Sequence, residues 1–343
     1  MVEIDGAEGG GQILRTAVAL AAVGGRALRV TNIRGARPKP GLQPQHLLAV
    51  KSVAESCGGQ VGGAQIGSRE IEFAPGALRA MGDWSLDVGT AGSVMLLLQS
   101  LLPCLALAPG PSRLRLTGGT NNPWAPPFEY FARVFLPAVR EMGVRAEARL
   151  ERRGFYPRGG GVVEIAVQAP ARLQPFRRVE RGDLRGIGGI AYSSSLPEHI
   201  VARMAEAAAA RLAEAGYRGA RIEQDTGAPS AGPGCGIILF AEFERGVVAG
   251  DALGERGKPA EKVGREAAHA LLAEIETGAP VDHHLGDQLA VWCGLAEGES
   301  EYVASRATAH LRSAAAVTEA LLGVKFTLDG ESPVRVRCSG RRM

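Results

Sequence analysis

The sequence lacks the paired cysteines that a disulfide framework or a structural zinc site would need. Its five cysteines are an odd number and show no Cys-x-x-Cys spacing, which disfavours both features and predicts a reducing compartment. The N-terminal stretch MVEIDGAEGGGQ has no apolar region of the secretory type. We therefore expect a cytoplasmic protein.

Long apolar runs, a strong net charge and the common nucleotide-binding motifs are missing too. The longest apolar run, VMLLLQSLLPCLALA, is interrupted by Gln99, Ser100 and Pro103. It is too short to cross a bilayer, which predicts a buried core helix and no membrane association. A net charge of +3 does not by itself indicate nucleic-acid binding, so that argument depends on local basic clusters. The N-terminal glycines match neither GxGxxG nor GxxxxGKS/T.

An internal repeat is the main feature that the sequence does contain. Segments that begin near Gly9, Ala91 and Leu285 each read as a helix, a turn, an alternating strand, a polar loop, a second helix and another strand. This order predicts an α/β (α+β) fold whose large domain has three units of two helices and four strands. The loops RGARPKPGLQPQ, GTNNPWAPP and RATAH hold the same place in their units. They converge on one cleft if the units pack around a threefold axis.

The stretch 179–276 differs from the repeats. It reads as a strand, a Ser-rich turn and a long Ala-rich helix, followed by further strands and a second long helix. We predict a small α/β domain at 179–276, inserted into a large catalytic domain formed by 1–178 and 277–343.

Two segments of the first unit are candidates for phosphate binding. In DGAEGGGQILR, glycines and a helix start follow Glu8 and precede Arg15, and such a turn brings backbone N–H groups close to an anion. A tight turn with a solvated Glu8 explains the same pattern. In IRGARPKPGLQPQH, two prolines hold Arg34, Arg37 and Lys39 close together, which favours phosphate contacts over a solvated basic loop.

The second and third units carry less specific signals. TNNPWAPP presents Trp124, which either stacks on a base or packs on its own domain. DHHLGDQL brings together His283, His284 and Asp287, a possible metal cluster only if the geometry suits. Asp287 is otherwise a helix-start carboxylate or a buried carboxylate that orients another group.

His310 is a lone histidine in RATAHLRSAA, between Arg306 and Arg312. A lone histidine is usually a surface residue that only packs. A neutral imidazole is also a competent nucleophile and a general base near neutral pH. Because His310 occupies the loop position that the other units fill with basic and proline-rich loops, the repeat favours a chemical role.

Several long motifs together resemble the RNA 3′-terminal phosphate cyclases: EGGGQILR, IRGARPKPGLQPQHLLAVK, GGTNNPWAPP, RRGFYPRGGG, GERGKPAEKVGREAA and HLGDQL followed by ATAHL. They occur in the same order along nearly the whole chain. The resemblance implies three repeated α/β units with an inserted small domain. It also implies ATP, a divalent metal (Mg or Mn) and an RNA with a 3′-terminal phosphate as reactants. A histidine would take AMP from ATP and pass it to that phosphate, and the 2′-hydroxyl would then close a 2′,3′-cyclic phosphate.

The resemblance also implies roles for individual residues. His310 matches the adenylated histidine, and Glu8 matches an acidic metal contact. The polar set that handles phosphates and the RNA end comprises Arg15, Arg34, Arg37 and Gln45. The ATP contacts comprise Gln99, Pro126, His284, Leu285, Gly286, Asp287 and Gln288, with the adenine lying on Pro126.

Two positions depart from the family pattern. His284 stands where some members have a tyrosine, and Asn121 stands where an aspartate is common.

Two other functions are alternatives to a cyclase. A non-catalytic relative in ribosome biogenesis would lack the catalytic histidine, whereas His310 is present. An enolpyruvyl transferase also repeats small α/β units, but its motifs are absent. The physiological RNA, the preferred metal, the role of the insert and the oligomeric state stay open.

Overall fold

The computed structural model contains four sheets, each with four strands, in the part of the chain that it describes. The described residues are 1–8 and 10–341. Gly9 of the predicted phosphate-binding turn and the last two residues of the predicted large domain, Arg342 and Met343, lie outside them. The fold is mixed α and β, as the sequence predicted.

The first sheet is built from the N-terminal quarter of the chain. Its elements are β1 (Val2–Asp5), α1 (Gly11–Gly24), β2 (Leu28–Thr31), α2 (Pro44–Cys57), β3 (Gln60–Gly62) and β4 (Ile71–Ala74). The strand order is β1-β2-β4-β3, with β1 and β2 parallel and the other neighbours antiparallel. The α1 helix ends at Gly25, whose φ of 61° is the left-handed conformation that glycine adopts most easily.

The second sheet repeats this arrangement. Its elements are β5 (Gly82–Asp87), α3 (Val94–Ala106), β6 (Ser112–Gly118), α4 (Phe128–Tyr130), a π-helical segment (Phe131–Phe135), α5 (Leu136–Glu141), β7 (Arg145–Arg152) and β8 (Gly161–Gln168). The order β5-β6-β8-β7 again starts with a parallel pair. The α3 helix contains the longest apolar run and is almost wholly buried, as predicted for a core helix.

The third sheet is interrupted by the insert. Its elements are β9 (Arg177–Arg178), α8 (His283–Leu295), β14 (Ser300–Ala304), α9 (Ala309–Leu322), β15 (Phe326–Asp329) and β16 (Val334–Cys338). The order is β9-β14-β16-β15, and β9 is parallel to β14. The repeat inferred from the sequence began with a helix, whereas each sheet has an earlier strand, which here precedes the insert.

The insert forms the remaining sheet, covered by two helices. Its elements are β10 (Leu184–Ser194), α6 (His199–Glu214), β11 (Arg221–Asp225), β12 (Gly234–Phe243), β13 (Gly246–Leu253) and α7 (Ala260–Glu276). Alternate residues of β12 serve two cores. Ile237 and Leu239 pack in a cluster with the two helices, while Ile238 and Phe240 belong to the cluster of the three repeated sheets. The insert is therefore fixed against the rest of the chain through one face of its sheet.

Helices of the three repeated sheets share one core. α1 packs against α3 and α9, and α2 packs against α3. The loops that follow β2, β6 and β14 thereby come together at one side of these helices. None of the helices within residues 1–8 and 10–341 is both long and apolar enough to cross a membrane.

Candidate functional site

A cleft of about 780 Å³ lies where the three loops meet, and the insert forms one of its walls. The first sheet contributes Gln12, Arg15, Arg34, Arg37, Gln45 and His46. The other repeated sheets contribute Gln99, Asn122, Trp124, Pro126, His284, Asp287, Gln288 and His310. The insert contributes Asp251, Leu253, Glu255, Lys258 and Glu266. The volume of the cleft is in the range of small-molecule binding sites.

Arg15 is a buried cation that faces this cleft. It is only 8% exposed, and it has no carboxylate partner within salt-bridge distance among the described residues. Its Nε also lacks a hydrogen-bond partner there. Burial lowers the pKa of the Arg15 guanidinium to about 10. A phosphate oxygen in the cleft would supply both the missing acceptor and the missing negative charge.

Hydrogen bonds within the basic loop after β2 stabilise its conformation. Arg34 has a φ of 55°, and its Nη1 donates to the carbonyl oxygens of Lys39 and Gly41 at 2.5 and 2.9 Å. Burial, and then the charge of Arg37, lower the pKa of Arg34. The loop thus holds two like charges at the cleft, an arrangement that an anion would stabilise.

His46, the third residue of α2, lines the cleft and was missed in the sequence, although it follows the predicted Gln45 directly. Its Nδ1 accepts the Gln43 N–H at 3.3 Å in a capping box. Burial, then Arg15 and Arg34, lower the pKa of the His46 imidazole to about 3, so the ring is neutral. Gln45 Oε1 accepts the Ser93 N–H at 3.1 Å, which ties the first loop to the start of α3.

His310 is the second residue of α9 and is open to solvent in the cleft. Its carbonyl oxygen accepts a hydrogen bond from Gln12 Nε2 at 3.0 Å, which joins the starts of α9 and α1. Loss of hydration in the cleft, and then the charges of Arg15 and Arg37, lower the pKa of its imidazole. This shift favours the unprotonated imidazole, which is the nucleophilic form.

Asp287 lies beside the start of α9. Its carboxylate accepts a hydrogen bond from the Thr308 hydroxyl, and that hydroxyl caps α9 by accepting the Leu311 N–H at 2.9 Å. Burial raises the pKa of Asp287 to about 7 although the Thr308 bond opposes the shift. Through Thr308 the carboxyl is tied to the first turn of α9, the helix that carries His310.

Asp282, another residue that sequence reasoning missed, holds three parts of the fold together. It caps α8 by accepting the Leu285 N–H at 2.9 Å. It also accepts the Tyr130 hydroxyl at 2.5 Å and the Ala249 N–H of β13 at 3.2 Å. Burial raises its pKa to about 6. An aspartate directly before an apolar helix start was the available signal.

The arginines on either side of His310 have other partners. Arg306 Nη2 lies 3.0 Å from Glu274 Oε1 and 2.8 Å from His283 Nδ1. Arg312 Nη2 lies 2.5 Å from Glu331 Oε1. Neither lines the cleft. The cations that act on His310 come instead from the first sheet.

Some predicted residues lie elsewhere. Leu285 is in the core, and the carbonyl oxygen of the buried Gly286 accepts the Tyr302 hydroxyl at 2.8 Å, so neither lines the cleft. Glu8 is exposed and outside the cleft lining. Within the described ranges, no group of three or more His, Cys, Asp and Glu side chains is placed to hold a metal ion. His283 pairs with Glu274 at 2.6 Å.

The two positions that depart from the family pattern have different surroundings. His284 lines the cleft, and its ring meets Tyr130 edge-on at 5.7 Å. Burial, and then His283, lower its pKa to about 3. Asn121 is buried behind the cleft wall, where its Nδ2 donates to Glu129 Oε2 at 3.0 Å, and its neighbour Asn122 lines the cleft.

Comparison with known proteins gives consistent results along the whole chain. The family model described as RNA 3′-terminal phosphate cyclase matches residues 6–328. The protein of that name from Methanopyrus kandleri is 44% identical over 352 residues, 99% of both chains. The one from Pyrobaculum neutrophilum is 44% identical over 97% of this chain and 96% of its own. The one from Methylococcus capsulatus is 45% identical over 98% and 96%.

Proposed function

The chain belongs to the RNA 3′-terminal phosphate cyclase family, and on that premise we propose that it uses ATP to convert an RNA 3′-terminal phosphate into a 2′,3′-cyclic phosphate. The observation that carries this proposal is that Arg15, which is buried and has no carboxylate partner among the described residues, lines one cleft with the exposed imidazole of His310. Together these residues supply a nucleophile and a site for a phosphate anion in one cleft.

In the first step, an imidazole nitrogen of His310 attacks the α-phosphorus of ATP. A nitrogen–phosphorus bond forms, the bond to the bridging oxygen breaks, and pyrophosphate leaves. The lowered pKa keeps the attacking nitrogen unprotonated near neutral pH. Arg15 and Arg37 offset the negative charge that develops on the phosphate oxygens.

In the next steps, an oxygen of the RNA 3′-phosphate attacks the phosphorus of the AMP group, and the imidazole leaves. This gives a diphosphate linkage between the RNA 3′ end and AMP. The neighbouring 2′-hydroxyl then attacks the RNA phosphorus and loses its proton, and AMP leaves as the cyclic phosphate closes. The basic residues Arg34 and Arg37, with Gln45, hold the RNA phosphate, while Gln99, Pro126 and the start of α8 hold ATP.

A divalent cation is part of the proposal only as a partner of the nucleotide. Mg²⁺ is often held by one or two carboxylates together with substrate phosphates, and Glu8 is the carboxylate that we assign to it. The described residues do not form a metal site by themselves, so the phosphates of ATP would supply most of the ligands, and the bound cation would offset their negative charge.

The organisation of the chain follows the same proposal. We assign 1–178 and 277–343 to the catalytic domain and 179–276 to the inserted domain. All five cysteines are free, which supports a reducing, cytoplasmic setting.

Covalent labelling tests the first step. The protein is incubated with ATP labelled at the α-phosphorus and a divalent cation, and the denatured chain is examined for acid-labile label. His310→Ala should carry none. His269→Ala, which removes an exposed histidine of α7, is the matched control and should label like the wild type. An unlabelled wild type, or a labelled His310→Ala variant, contradicts the proposal.

A second assay tests the RNA step. An oligoribonucleotide with a 3′-phosphate should gain a phosphatase-resistant cyclic end in the presence of ATP, and the same strand with a 3′-hydroxyl should not. A labelled protein that forms no cyclic ends would be an adenylyl transferase of another kind.

A further inference from the structure

The described residues contain two exposed aromatic side chains, which lie on adjoining loops. Trp124 is 94% exposed and Tyr156 is 66% exposed. Trp124 borders the cleft, whereas Tyr156 lies outside its lining. Single exposed hydrophobic residues are common on protein surfaces, so the case for a function of these two rings depends on their backbone and their neighbours.

The loops that carry these rings are joined through their backbones. The N–H groups of Thr120 and Asn121 donate to the Gly154 carbonyl oxygen at 2.9 and 3.2 Å, and Asn121 forms an isolated bridge with Phe155. Beneath these loops, the buried Arg153 forms an ion pair with Glu129, and Glu129 also accepts a hydrogen bond from Asn121. The two rings therefore stand on one rigid base. We call Trp124 and Tyr156 the aromatic platform.

The backbone at Trp124 is strained. Its φ of 66° is in the left-handed region, where a bulky residue costs roughly 1–3 kcal/mol. Because the ring is almost fully exposed, no packing offsets this cost within the described chain. Backbone strain of this kind is found most often at active sites and ligand-binding segments.

Two exposed arginines are close to Tyr156 in the sequence. Arg152 and Arg158 are exposed, and neither has a carboxylate within salt-bridge distance among residues 1–8 and 10–341. Arg152 Nε donates to the Gly160 carbonyl oxygen at 2.6 Å, and Arg158 Nη1 donates to that of Ala231 at 3.1 Å. Exposed aromatic faces combined with free cations are the chemistry that binds single-stranded nucleic acid.

We propose that the aromatic platform stacks the RNA bases that lie on the 5′ side of the terminal phosphate. Trp124 would take a base at the rim of the cleft and Tyr156 a base further out, with the backbone phosphates beside Arg152 and Arg158. This inference rests on the proposed function, because it assumes that the RNA 3′ end enters the cleft. A strand that leaves the cleft past Trp124 meets Tyr156 on the adjoining loop.

Substrates of different length test the platform. Trp124→Ala and Tyr156→Ala should each raise the KM for a tetraribonucleotide 3′-phosphate by about 10-fold. A mononucleotide 3′-phosphate has no upstream base, so its KM should rise much less. Trp124→Phe and Tyr156→Phe keep a ring and should restore most of the lost affinity. Leu184→Ala changes an exposed apolar residue of the insert and serves as control. Equal increases for both substrates, or a matching rise in the KM for ATP, would overturn the proposal.

A binding measurement separates this proposal from the reaction itself. Trp84 is half-buried and Trp292 is buried, so a stacked base should quench mainly the fluorescence of Trp124. Adding the tetranucleotide without ATP should quench the wild type and leave Trp124→Phe nearly unchanged. Quenching by a protein that shows no covalent label would retain the platform and reject the cyclase chemistry. Absence of quenching in a protein that cyclises RNA would reject the platform alone.

Discussion

The Thr308 hydroxyl donates a hydrogen bond to the Asp287 carboxylate and accepts one from the Leu311 N–H at 2.9 Å. One side chain thus caps α9 and ties it to α8. Because His310 is the second residue of α9, this pair sets the position of the proposed nucleophile. Asp287 therefore affects the transfer of AMP through the position of α9, whether or not it contacts the nucleotide itself.

Removal of the Thr308 hydroxyl should loosen the start of α9. We expect Thr308→Ala to lower the free energy of unfolding by about 1 kcal/mol, the usual effect of losing a cap. Self-adenylation should fall by more than this loss explains, because the His310 ring is no longer held. Thr308→Ser keeps the hydroxyl and should restore both properties in urea unfolding and labelling assays. Labelling of Thr308→Ala at the wild-type rate would show that the cap is structural only.

Asp287 should make the stability of the wild type depend on pH. Its pKa of about 7 lies above the ordinary 3.8, so the folded state favours the protonated carboxyl. The stabilisation relative to Asp287→Asn is complete below about pH 4 and is lost as the pH rises to about 7. Between these limits, the free energy of unfolding of Asp287→Asn should therefore rise relative to that of the wild type by up to roughly 4 kcal/mol. Urea unfolding at several pH values checks this, and a gain in the opposite direction contradicts the assigned pKa shift.

The fold was predictable to the extent that local patterns determine it. Apolar periodicity and turn residues predicted the helix pairs, and α3 is buried as expected. The short strand β9 consists of Arg177 and Arg178, which have no strand pattern, so only its pairing with β14 reveals it. The apolar run of β12 predicts a buried strand, but its two faces are told apart only by the helices on one side and the repeated sheets on the other.

The site was predictable where a residue acts through its own chemistry. Arg15, Arg37 and His310 were singled out from the sequence, and the structure brings them to one cleft. Arg306 is close to His310 in sequence, but Glu274, from another helix, binds it. Asp282 escaped notice because its importance lies in its partners Tyr130 and Ala249, which are distant in sequence.

Arg37 should shift the pH dependence of adenylation. Its charge helps lower the pKa of His310 because it disfavours the protonated imidazole. In Arg37→Gln that pKa rises toward its ordinary value, so the acid limb of the rate profile should move to higher pH. Labelling rates between pH 5 and 8 test this. Arg312→Gln also removes a cation near His310 in sequence, but its side chain pairs with Glu331, so its acid limb should match the wild type. A shift in both variants would indicate a general effect of net charge.

Gly11 should tolerate no side chain. A Cβ there would lie 2.2 Å from His46 Nε2 and 2.9 Å from Arg15 Nη1. Gly11→Ala should displace the His46 ring and the Arg15 guanidinium from the cleft, with a loss of stability of about 1–3 kcal/mol and a clear fall in adenylation. Gly24→Ala lies in the same helix with its nearest contacts at 3.7 Å, so it should fold and label normally. Normal labelling of Gly11→Ala would show that His46 and Arg15 are free to move without consequence.

Arg153 should be one of the most sensitive residues behind the cleft. Its guanidinium is 3% exposed, pairs with the buried Glu129, and reaches Asp225 of β11 at 2.8 Å. Arg153→Met leaves the Glu129 charge buried without a partner, and we expect a loss of about 3–5 kcal/mol in urea unfolding. Adding Glu129→Gln removes that charge and should recover part of the loss. Arg203→Met breaks an exposed pair and should have a much smaller effect. If the double variant is as unstable as Arg153→Met, the loss comes from packing rather than from the unpaired carboxylate.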